Sequence, residues 1–165
     1  MRADPTSVIS EATEITRLIS WRFLAFDAFT PHQLYEVLQL RSAVFVIEQA
    51  CLFQDMDGAD GKAMHLLGSI SGRLIAYARV FGPGLKFSEA SIGRVITHES
   101  VRGSGAGHVL LRRAIACLSQ QWGPQPIRIG AQARLEQFYL QHDFVRTGVP
   151  YMEDGIPHID MLRPA

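Results

Sequence analysis

The stretch VRGSGAGHVLLRRAIACL, residues 101–118, sets Gly103, Gly105 and Gly107 at alternate positions behind Arg102. A helical pattern of Leu110, Leu111, Ala114, Ile115 and Leu118 follows at once. Alternating glycines let successive backbone N–H groups converge with no Cβ in the way. They also open a helix, whose first turn carries about half a positive charge. Arg102 adds a side-chain charge at the rim. The ligand that suits such a nest is a pyrophosphate; a glycine-rich connection that binds nothing is the alternative. Two rivals fail on spacing. A P-loop ends in Gly-Lys-Ser/Thr, and here the residues are Gly107-His108-Val109. The dinucleotide fingerprint wants glycine where His108 stands, and an acid about 20 residues on, where Ile127-Arg128-Ile129-Gly130 stands.

Other reactive residue types form weaker patterns. Asp55, Asp57 and Asp60 in DMDGAD superficially resemble a calcium loop. The glycine slot of that loop holds Asp60, however, and the place of its bidentate acid holds Leu66. A polar loop or an acceptor-site rim is the better reading, so no metal is expected. The six histidines show no H-x-x-x-H spacing, and Cys51 and Cys117 are too few for a disulfide framework. Sixteen basic and sixteen acidic residues cancel, which leaves no charge footprint for nucleic acid. No run approaches the roughly 20 apolar residues of a membrane span, and the first 20 residues lack a signal-peptide core. These readings place the chain in the cytoplasm, away from membranes.

The elements that must position these groups follow from periodicity. A chain of 165 residues suits about one domain, with residues 1–18 as a tail or arm and 19–165 as the folded unit. Trp21–Phe26 reads as a strand. Thr30, Pro31 and Gln33 make a capping box and a proline start for a helix that places Leu34, Val37, Leu38, Arg41 and Phe45 on one face. Two strands flank the turn Ser71-Gly72, and SIGRVITH forms another. A helix spans about Gly105 to Gln120. PIRIGAQ is a short strand, RLEQFYLQHDF a short helix, and the C-terminal stretch one or two strands about Glu153-Asp154-Gly155. Strand–helix–strand order in the second half implies a right-handed crossover with parallel pairing. The class is α/β (α+β mixed), with helices on both faces of a mixed sheet.

RGSGAG matches the Arg/Gln-x-x-Gly-x-Gly/Ala signature of the GNAT family of N-acetyltransferases, and the chain from about Trp21 to Leu162 resembles that family in order. LEQFYLQHDF is similar to the family's late LYEKLGF turn. LYEVLQLRSAVFVIEQ, QDMDGAD, AYARV, IGRV, IGAQA and EDGIPHIDM together resemble its ElaA-like branch. The resemblance implies a mostly antiparallel sheet of six to seven strands and acetyl-coenzyme A as co-substrate. It also implies transfer of the acetyl group to a primary amine, on a small molecule or a protein, by direct attack in a ternary complex. On this reading Val95, Ile96 and Thr97 offer their backbone to the pantetheine arm, with Ile96 N–H polarising the thioester carbonyl. Arg102, Gly103, Ser104, Gly105, Ala106 and Gly107 hold the pyrophosphate, and Tyr139 protonates the departing thiolate. Oligomeric state stays open, with a homodimer the form that the fold's exposed strands would permit.

Three departures stand out. Asp143 replaces the glycine of the late turn, which a left-handed aspartate tolerates. Gln132 stands where many relatives carry asparagine. The strand SIGRVIT also lacks the glutamate that many relatives use as a base. An ammonium of pKa near 10.4 must lose a proton before it attacks. Glu48 is the first candidate acceptor for that proton, because it closes the helix bordering the acceptor cleft. His158 is the second and His98 the third. Two other functions remain: a non-catalytic coenzyme A-binding module, and an acyl-homoserine-lactone-synthase-like acyltransferase, suggested by RSAVFVIEQ.

Overall fold

The structure is a computed structural model that describes residues 14–165. The expected arm, 1–18, lies mostly outside the described residues. Residues 14–17 form one helical turn, Ile15 packs against the core, and Ile19 is buried.

Seven strands form one sheet: β1 (Ser20–Ala25), β2 (Met64–Ile70), β3 (Arg73–Phe81), β4 (Ala90–Thr97), β5 (Ile127–Gln132), β6 (Val145–Glu153) and β7 (Ile156–Arg163). Their order is β1-β2-β3-β4-β5-β7-β6. Only β4 and β5 run parallel; every other neighbouring pair is antiparallel. The parallel pair is the one joined through a helix, as the strand–helix–strand order requires.

Local chemistry explains the boundaries. Ser71 and Gly72 take φ of +50° and +79°, the two positive angles of a type I′ turn, and so join β2 to β3 tightly. Helix α1 (Pro31–Arg41) starts on the expected box: Gln33 N–H donates to Thr30 Oγ1 and Thr30 N–H to Gln33 Oε1. After Arg41 the chain continues as a π-helical segment, Ser42–Glu48. The buried positions across the two, Val37, Leu40, Arg41 and Val44, keep the regular i, i+3, i+4, i+7 spacing of a helix, whereas the expected Leu34, Leu38 and Phe45 are half-buried. Helix α2 (Ala106–Trp122) begins at Gly105 and ends at Gly123, both with positive φ. A short helix α3 (Glu136–Leu140) leads into Asp143, whose φ of +65° confirms that aspartate takes the left-handed turn.

The helices lie on opposite faces. On one, Leu110, Leu111, Ala114 and Leu118 of α2 pack on Ala78, Val80 and Ile92. On the other, Val37, Leu40 and Val44 pack on Leu67, Leu74 and Tyr77. Leu110 and Leu111 are fully buried, so truncating either to alanine costs about 2–5 kcal/mol. Among the described residues no helix is long and apolar enough to cross a membrane.

Candidate active site

Strands β4 and β5 pair through only two positions, Ala90 with Ile127 and Ser91 with Arg128, and then part. The cause lies in β4. Between Gly93 and Ile96 it has two residues, Arg94 and Val95, opposite the single Ala78 of β3. This bulge, with Arg94 at φ +51°, bends β4 away from its parallel neighbour. The gap widens into a cleft of about 1170 Å³. Val95, Ile96 and Thr97 line one wall and Gly130, Ala131 and Gln132 the other.

The glycine loop lies at the end of β4. Gly103 and Gly105 take φ of +78° and +85°, and a Cβ on either would meet nothing within 4 Å. Their value is therefore conformation and open approach. The first bond inside α2 runs from Val109 N–H to Gly105 C=O, so the amides of Gly105 to His108 have no acceptor within the helix. Gly107, the third glycine expected in the loop, lies inside α2. The Arg102 side chain, however, is not turned freely toward these amides. Its Nε and Nη2 donate to Thr97 C=O at 3.2 and 3.1 Å, and Nη1 and Nη2 pair with Glu48 at 2.9 and 3.1 Å.

Tyr139 lines the cleft from α3. It is 7% exposed, held edge-on by Phe138 and Phe144, and burial pushes its phenol up to about 12. The hydroxyl therefore stays protonated across the physiological range.

The structure brings the first two base candidates into the same cleft and leaves the third outside. His158 sits on β7 with Nδ1 2.8 Å from Ile156 C=O. A carbonyl only accepts, so Nδ1 carries hydrogen and the neutral ring keeps its lone pair on Nε2. Nε2 lies 3.5 Å from Glu153, and the ring stacks on Tyr151. Glu48 also lines the cleft, but both its oxygens are engaged by Arg102. His98 is absent from the lining; its ring caps the turn at Ser100 and meets Arg73. Gln132 reaches Gln49 at 2.9 Å, tying the end of β5 to the segment after α1.

The acidic loop has a role that the sequence did not disclose. Arg94, Asp55, Arg41, Asp60, Arg79 and Asp57 form a closed ring of alternating charges. Its contacts are 2.6, 2.6, 2.8, 2.8 and 2.7 Å, with 3.6 Å closing Asp57 to Arg94. Hydrogen bonds from Arg79 hold the Asp57 carboxyl well below the usual carboxylate range. Burial opposes ionisation of Asp60, yet hydrogen bonds from Arg41 and Arg79 prevail and lower it. The ring clamps the bulge: Asp55 takes Arg94 Nε and, through its carbonyl, Nη2. Among the described residues no cluster of three or more metal-ligating side chains occurs.

A glycine loop, parted parallel strands and a buried tyrosine define a class. The chain matches the acetyltransferase (GNAT) domain over residues 28–163 and belongs to that family, whose general chemistry is acyl transfer from coenzyme A. Within it, the similarity is to the ElaA-like branch. The chain is 41% identical to protein ElaA of Escherichia coli over 148 residues, covering 88% of this chain and 97% of that one. The crystal structure of Escherichia coli ElaA superposes with a TM-score of 0.82, over 88% of this chain and 99% of that one. An acyl-CoA N-acyltransferase from Pseudomonas aeruginosa is 39% identical, with a TM-score of 0.83 over 88% and 99% of the two chains. The AHL synthase LasI shares the fold alone, at 16% identity and a TM-score of 0.69 over 87% and 88%.

Proposed function

We propose that the chain moves an acetyl group from acetyl-coenzyme A to a primary amine, carried by a small molecule or a protein, by direct attack in a ternary complex. The observation that carries this reading is the parting of β4 from β5, with Arg102 of the glycine loop and Tyr139 both lining the gap. Val95, Ile96 and Thr97 extend their backbone to the pantetheine arm as a neighbouring strand would. The expected donor, Ile96 N–H, lies in the phase of the His98 N–H to Ile75 C=O bond and so faces Tyr77 on β3; the thioester oxygen is left to the amide of Thr97, which turns away from β3. Amides from Gly103 to Gly107 take the diphosphate, assisted by the helix dipole.

The proton accounting assigns the side chains. The acceptor arrives as an ammonium near pKa 10.4 and must give up one proton to attack. His158 Nε2 receives it and passes it to solvent. The amine nitrogen bonds to the carbonyl carbon, the C–S bond breaks, and Tyr139 donates its proton to the departing sulfur. The phenol recovers a proton from the nitrogen, which loses its second as the amide forms. His158 is assigned the base because Nδ1, held by the Ile156 carbonyl, leaves Nε2 to take the proton, and Glu153 at 3.5 Å then faces the imidazolium formed. A carboxylate on β4 is unnecessary on this route.

A thiol-release assay with acetyl-coenzyme A against a panel of primary amines tests the proposal. Turnover with at least one amine supports it. Coenzyme A binding without transfer to any amine replaces it with a non-catalytic binding module. Turnover confined to longer acyl donors with S-adenosylmethionine replaces it with the lactone-synthase chemistry.

A further inference from the structure

Arg102 ties together three segments that border the cleft. It belongs to the loop before α2, it holds the terminal carbonyl of β4 at Thr97, and it grips Glu48, the last residue of the π-helical segment. Glu48 gives both carboxylate oxygens to that guanidinium. Both side chains are about two-fifths exposed, so the pair is weak and easily exchanged. A guanidinium pairs with a phosphate group by the same forked geometry it uses for a carboxylate. Any diphosphate seated on the Gly103–Gly107 amides therefore lies beside a cation that a carboxylate already occupies.

We propose that Glu48 is a positioning residue that couples the two substrates: it competes with the donor's diphosphate for Arg102, and donor binding hands its carboxylate to the acceptor's ammonium. The inference rests on the donor-site reading above and adds a role for Glu48 that the reading does not contain. Displaced from Arg102, Glu48 is an anion in a cleft it shares with His158 and Tyr139, where it attracts a cationic amine and holds it for deprotonation. The coupling is reciprocal by linkage: whatever donor binding adds to acceptor affinity, acceptor binding returns to the donor. The acceptor class is thus narrowed to amines that bind as cations. Gln49, next in sequence, bonds to Gln132 across the cleft, so the wall that carries Glu48 stays anchored while its carboxylate changes partner.

Calorimetric titration of coenzyme A into wild type, Glu48→Gln, Arg102→Gln and the double variant tests this directly. Glu48→Gln should bind coenzyme A about 1.4- to fivefold more tightly, the range that an exposed pair allows. The gain should vanish in the Arg102→Gln background, and Glu48→Asp should restore the wild-type affinity. In turnover, Glu48→Gln should raise KM for the amine more than it lowers kcat. Unchanged or weaker coenzyme A binding by Glu48→Gln overturns the inference. So does equal tightening with and without Arg102, which would be simple charge repulsion. If the wild-type protein binds no coenzyme A at all, the donor-site reading fails and takes this inference with it.

Discussion

At the scale of residues, the two side chains placed nearest the chemistry make separable predictions. Tyr139→Phe removes only the hydroxyl from a packed ring, so folding should persist while kcat falls about 10²- to 10⁴-fold, the usual contribution of an acid. Unaltered thiol release by that variant would remove Tyr139 from the mechanism. Because burial pushes the phenol up to about 12, the wild-type kcat should show no loss from tyrosine ionisation below about pH 10. His158→Gln should lower kcat/KM most near neutrality and recover as pH rises toward the pKa of the free amine, since a deprotonated acceptor needs no base. A parallel drop at every pH would mark the histidine as packing against Tyr151. The role proposed for Tyr139 was legible only through family resemblance, because an aromatic residue on an apolar helix face looks like core. Glu48 was legible as a cleft residue. Its pairing with Arg102, 54 positions away, was not, because no local pattern records it.

At the scale of elements, the glycine turn and the bulge do different work. Gly105 has open space about its Cβ position and a φ of +85°, so Gly105→Val is strained through its backbone and blocks approach to the amides. Thermal shift by coenzyme A should disappear in that variant, and a retained shift would place the diphosphate elsewhere. The turn at Gly103 and Gly105 was readable because glycines directly before a helical pattern announce positive φ. The bulge at Arg94 was not, for a positive φ on an arginine has no signature in sequence. It follows from a register mismatch with β3 and from the grip of Asp55, 39 residues away. The same limit misplaced one face of α1. The buried stripe Val37, Leu40, Arg41 and Val44 has regular helical spacing, but it is centred on Leu40 and Arg41 and not on Leu34 and Leu38, because Arg41 meets loop partners far along the chain.

At the scale of the whole molecule, two apolar cores hold the sheet and a charged ring sits between loop and strands. Strand order could not be read in full: hairpins and the crossover were local, whereas the insertion of β7 between β5 and β6 depends on pairing across the chain. The ring was equally hidden. Arg41 fell on an apolar face, and its partners Asp55 and Asp60 lie 14 and 19 residues away. Asp60 accepts from two arginines that are 1% and 2% exposed, so Asp60→Asn should cost about 1.5–3 kcal/mol in urea unfolding, the worth of hydrogen bonds to charged groups, since Arg41 keeps Asp55 and Arg79 keeps Asp57. The lowered carboxyls of Asp57 and Asp60 also set an acid limit. Their contribution is complete above the unfolded value near 3.8 and is lost as pH falls through the depressed folded values. Unfolding free energy should therefore decline below about pH 4, and less steeply in Asp57→Asn. A flat profile would show that the ring does not stabilise the fold. The π-helical stretch has an evolutionary corollary. Shortening Ser42–Glu48 by one residue would let the coil rewind to regular pitch and swing its last side chain by about 100°, so relatives of different length here should differ in which amines they accept.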